Sequence, residues 1–108
     1  MKNKVVINTG GYRFELSNTA KTVYDALAKQ QGLPPHNWKA DPEGWHLDRH
    51  DPVLVEVVVL LGRSAHRFAA SRADLQVVEI PGNQYYILNY DGDETVLTPE
   101  GDHWTVIE

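Results

Sequence analysis

The run Asp51-Pro52-Val53-Leu54-Val55-Glu56-Val57-Val58-Val59-Leu60-Leu61-Gly62 constrains this chain more than any other stretch. Its β-branched residues would suit a strand. Its ends favour a helix: an aspartate to cap, a proline where a missing N–H costs nothing, and a terminal glycine. As a helix it carries Glu56 as its one polar residue, so it needs cover on every side. A chain of 108 residues makes a single domain, residues 1–108, with few layers to supply that cover. A sheet on one face and a second subunit on the other would suffice, so a homo-oligomer is expected.

The other elements follow from local pattern. Lys4-Val5-Val6-Ile7-Asn8-Thr9 reads as a strand that stops at the Gly10-Gly11 turn signal. Tyr12 to Leu16 alternates apolar and polar residues, as a second short strand or an extended lead-in to a helix. Ser17 or Asn18 can cap that helix, and Ala20, Val23, Tyr24, Leu27 and Ala28 form its apolar stripe. Lys21, Asp25 and Lys29 lie off the stripe, and Gly32 with Pro34-Pro35 ends the helix. Residues 33–50 are a long polar connection holding Trp38 and Trp45, a candidate binding loop or lid. Residues 63–74 form a basic connection of small residues. Four strands are expected after it: Leu75–Ile80, Gln84–Tyr90, Glu94–Thr98 and His103–Ile107. Asp91-Gly92 is a hairpin turn between the middle two, and Pro99 to Asp102 turns again. Strands grouped after helices predict an α+β fold: two helices packed on a mainly antiparallel sheet with C-terminal hairpins.

Charge and composition exclude several classes. The formal net charge of −5 argues against a duplex nucleic-acid partner. Its distribution is uneven: residues 74–108 hold eight acids and no lysine or arginine, while all ten basic residues precede them. There is no cysteine, hence no disulfide scaffold, thiolate metal site or cysteine nucleophile. No apolar run approaches the ~20 residues of a membrane span, and the N-terminal apolar stretch falls short of a secretory signal. A cytoplasmic protein without a membrane partner is expected.

No constellation for catalysis is legible, and neither enzyme activity, a cofactor nor a metal is expected. His46 and His50 are four apart but lie in the long connection, without the glutamate of a metalloprotease helix. The carboxylate pairs Asp91/Asp93 and Asp48/Asp51 flank a turn and a helix cap, and neither has the apolar surroundings that make a general acid. Ser17, Ser64 and Ser71 lack a nucleophile-elbow context. Binding chemistry is more plausible. Glycines at Gly10-Gly11 permit close approach to the backbone, and Tyr12 and Arg13 follow with a ring and a guanidinium. Arg49 and His50 precede a helix N-terminus, which favours anions, and Arg63, Arg67 and Arg72 follow its other end.

Four segments together resemble a family of small phage and prophage proteins: Lys4–Thr9 through Leu16-Ser17, then Arg49–Val58, then Leu75–Pro81, then Tyr90–Glu94. That family starts like KVVINTCYGGFSLS, continues like RDDPxLVxVVEELG and ends like LKVVEIPD followed by EYDG. Here Gly10-Gly11-Tyr12-Arg13 replaces its cysteine-tyrosine-glycine-glycine order, and Arg63 stands where it often has an acid. The resemblance implies a phage-encoded accessory protein acting in the cytoplasm of an infected bacterial host. Small phage proteins of this size include anti-defence sponges that sequester nucleotide-derived signals, an analogy of size and context.

Two functions are therefore expected in order. The first is sequestration of a small anionic, nucleotide-type ligand by Asn8, Gly11, Tyr12, Arg13, Trp45, Arg49, His50 and Arg67, with arginines on phosphate and Tyr12 or Trp45 stacking on a base. The second is an acidic protein-interaction module or nucleic-acid mimic, whose C-terminal hairpins cover a basic patch on a host protein.

Overall fold

The computed structural model describes residues 3–9, 14–65, 75–90, 93–98 and 105–106. Within them lie two helices and five strands. Asn3–Asn8 (β1) pairs antiparallel with Leu75–Ile80 (β2), Val6 opposite Val77. Gln84–Tyr90 (β3) pairs antiparallel on one side with Asp93–Leu97 (β4) and on the other with Thr105–Val106 (β5). The α+β expectation holds, but the strands make two sheets rather than one, ordered β1-β2 and β4-β3-β5.

The alternation of β1 explains the stacking. Val6 turns to a core shared with the helices, and Val5 and Ile7 turn to a second core shared with Ile80 and Tyr85. Val78, Ile87 and Val96 close the second core. The β1-β2 pair is thus a middle layer, with helices on one face and the three-stranded sheet on the other. Burial on both faces accounts for the unbroken apolar run Val5-Val6-Ile7, since one-sided strands alternate with polar residues.

Asn18–Gln30 (α1) starts as its sequence predicts: the Ser17 hydroxyl accepts from Ala20 N–H at 3.0 Å. The same hydroxyl donates to Ser64 O at 2.7 Å, fastening the start of α1 to the 3₁₀ turn Gly62–Ala65. Ala20, Tyr24 and Ala28 are buried, with Val23 and Leu27 packed alongside. Phe14 to Ser17 is the extended lead-in, touching Glu43 through Leu16 N–H at 3.2 Å.

Pro52–Leu61 (α2) is a helix, so its caps outweighed its β-branched residues. Asp51 accepts from Val53 N–H at 2.9 Å, and Gly62 closes the helix with φ of 56°. Within one copy α2 is not covered all round. Val53, Leu54, Val57 and Val58 enter the core, while Val59 and Leu60 stay 62% and 61% exposed.

Candidate functional site

The long connection before α2 is a packed structure rather than an open lid. Asp41 is buried at its centre and accepts from Trp45 N–H and His46 N–H, both at 2.9 Å. His36 Nε2 lies 2.8 Å from the same carboxylate. Burial alone would raise the Asp41 pKa, but the hydrogen bonds from His46, His36 and Trp45 prevail and hold it below the usual carboxylate value. Gly44 takes φ of 85° beside Leu16, and Leu47 is buried. At the other end Trp38 Nε1 donates to Asp25 at 3.0 Å and stands edge-on to Tyr24 and His36. Asp25, expected on the solvent side of α1, is therefore a partner of this connection.

Arg49 ends the connection and faces inward. Its backbone carbonyl accepts from Val6 N–H at 2.7 Å, and its guanidinium lies 4.0 Å from the Phe14 ring centre. Nη1 and Nη2 reach the two oxygens of Glu94 at 2.6 and 2.8 Å. Glu94 Oε1 also accepts from Asn8 N–H at 2.8 Å, with Glu94 only 4% exposed. Arg49 was expected to meet a ligand phosphate; its charge is instead matched by an internal carboxylate. Glu94 was expected on an acidic surface; it is buried.

The other expected site residues separate. Asn8 is fully buried. His50 Nδ1 lies 2.8 Å from the Tyr85 hydroxyl, and burial raises the Tyr85 pKa. Trp45 is half exposed, with its ring held by an Nε1–H bond to Phe14 O. Gly11, Tyr12, Arg13 and Arg67 lie outside the described residues, as do the Gly10-Gly11 and Asp91-Gly92 turns. The structure thus gathers Asn8 and Arg49 around Glu94, sets the Phe14 ring against the Arg49 guanidinium, and leaves Trp45 on the surface. Among the described residues no three histidines or carboxylates group as metal ligands.

A surface that the sequence reading passed over is the outer face of β3-β4. In β3, Tyr85 and Ile87 turn to the second core, and Tyr86, Leu88 and Tyr90 turn outward at 42%, 48% and 83% exposure. Leu97, opposite Tyr86, adds 41%. An antiparallel sheet with one wet face normally shows polar residues there. The signal was present in the sequence as Tyr85-Tyr86-Ile87-Leu88, apolar on both parities.

Fold and exposed face together define a small layered α+β domain. No protein family, curated protein or solved structure matches the chain. No helix among the described residues is long and apolar enough to cross a membrane.

Proposed function

We propose that this protein is an acidic interaction module that docks a basic, partly apolar protein surface through the outer face of β3-β4. The observation that carries this is the apolar row Leu88, Tyr90 and Leu97, exposed on the outermost layer of the fold. Contiguous exposed apolar area of this kind marks interaction sites. The charge on this face selects the partner, because Asp93 lies exposed on it opposite Tyr90 and the sequence from residue 74 onward holds no lysine or arginine. A host target and a phage origin, implied by the family resemblance, remain part of the same proposal.

Sequestration of an anionic nucleotide-type signal has less support. Arg49, one of its three cations, is neutralised by Glu94, and Arg13 and Arg67 are outside the described residues. A homo-oligomer through α2 likewise needs more than Val59 and Leu60. Two side chains fall far short of the ~800 Å² per partner of a stable interface.

Selection from a displayed peptide library tests the docking proposal. Recovered ligands should interleave Lys or Arg with apolar residues and weaken with salt. They should be lost on the Leu88→Thr/Tyr90→Thr variant. Ligands that bind this variant as well as the parent would refute the assignment of the face.

A further inference from the structure

We infer that Arg49 and His50 form a two-point clasp that sets where the outer sheet sits on the middle layer, selecting one stacking of the two sheets over slipped alternatives. The core between these layers is built from Val5, Ile7, Ile80 and Tyr85, with Val78, Ile87 and Val96 beside them. Apolar contact is non-directional. Such a core draws the layers together but discriminates weakly between stackings displaced along the strands. The clasp supplies the direction, whatever docks on the far face of the outer sheet.

Arg49 is fixed to the middle layer without help from the outer sheet. Its carbonyl accepts from Val6 N–H at 2.7 Å, Nη1 donates to Val6 O at 3.2 Å, and the Phe14 ring supports the guanidinium. It therefore presents a held fork, which Glu94 of β4 meets with both oxygens. Asn8 N–H of β1 is a further donor to the same carboxylate. The next residue, His50, holds the neighbouring strand, its Nδ1 2.8 Å from the Tyr85 hydroxyl of β3. Glu94 lies opposite Asn89, four residues along β3 from Tyr85. At ~3.4 Å per residue the two grips stand roughly 14 Å apart along the sheet. Two points so separated fix translation and rotation together, which one point cannot.

Slipped stackings are penalised at both points. A slide of two residues is the smallest that keeps the same side chains facing inward, and it brings Val96 or Gly92 to Arg49. Neither side chain accepts a hydrogen bond. Asn8 is fully buried, so its N–H and the guanidinium would both lose their acceptor within the seam. Tyr85 leaves His50 in the same movement.

Tyr85→Phe removes one grip and keeps the ring. Arg49→Met with Glu94→Gln removes the other and keeps an acceptor for Asn8 N–H. Amide line widths by nuclear magnetic resonance report the stacking in the triple variant. Resonances of Ile87, Thr95 and Val96 should double, or broaden roughly twofold or more through exchange between stackings on the μs–ms scale, while those of Ala20 to Ala28 in α1 stay sharp. Tyr85→Phe alone should broaden the same outer-sheet amides to a smaller degree, and it decides the matter if the triple variant does not fold. Grips that only added stability would lower the urea midpoint and leave the outer-sheet amides as sharp as in the parent. That result in either variant overturns the inference, as does broadening spread equally over α1 and the outer sheet.

Discussion

Arg49 and Glu94 meet as a two-pronged pair, Nη1 to Oε1 at 2.6 Å and Nη2 to Oε2 at 2.8 Å, across the seam between the two sheets. Glu94 sits on β4 and also holds Asn8 N–H of β1, so one carboxylate joins the connection, the middle layer and the outer hairpin. The pair lies directly behind the proposed docking face.

Removing one partner of this pair leaves a buried charge unmatched. Arg49→Met is expected to destabilise the fold by about 3 kcal/mol, the scale seen when one member of a buried ion pair is lost. Glu94→Gln keeps an acceptor for Asn8 N–H. The double variant should therefore be more stable than the sum of the two single losses. Urea unfolding of all four proteins gives the coupling directly. Additive losses would show that the pair does not interact in the folded state.

Among the described glycines, Gly44 is the one where a side chain is excluded. Its φ is 85°, and an added Cβ would lie 2.8 Å from Leu16 Cδ1. Gly44→Ala should cost about 2 kcal/mol through strain and displacement of a core leucine. Gly32→Ala, also at positive φ but with open space around it, should cost about 1 kcal/mol. Thermal or urea unfolding ranks the two.

Tyr24 fastens α1 to the start of α2 through its hydroxyl, which donates to Asp51 Oδ2 at 2.6 Å while Asp51 Oδ1 caps α2. Tyr24→Phe should lose about 1 kcal/mol, the usual net worth of one hydrogen bond, with the helix content unchanged by circular dichroism.

Acid and alkaline limits follow from Asp41 and the two buried tyrosines. The Asp41 pKa is depressed in the fold, so its stabilisation is present above the unfolded value of 3.8 and is lost as pH falls below it. Asp41→Asn should flatten that acid limb. For Tyr24 the folded pKa is raised above 10.0, by burial first and then by Asp51. Burial also raises Tyr85 above the same value. The folded state therefore holds these protons more tightly, and stability is full below pH 10.0 and declines above it. Phenolate absorbance followed with unfolding against pH checks this. Tyr24 and Tyr85 should ionise only as the chain unfolds.

The sequence by itself determined the elements. Caps at Ser17 and Asp51, the stripe from Ala20 to Ala28, and the glycine at position 62 act within a few residues, so both helices were legible without tertiary contacts. Strand positions were legible for the same reason, because alternation is a local property. Burial on both faces of β1 was latent in Val5-Val6-Ile7.

Only the tertiary structure decided what each charged residue faces. Arg49 and Glu94 are 45 residues apart, and nothing in local pattern marks them as partners rather than as a phosphate ligand and a surface acid. The same holds for Trp38 with Asp25, and for Asp41 at the heart of a connection that reads as polar loop. Local periodicity fixes backbone conformation and which residues share a face. Pairing across the seam depends on how layers stack, and that is set by the summed packing of cores that no short window of sequence contains.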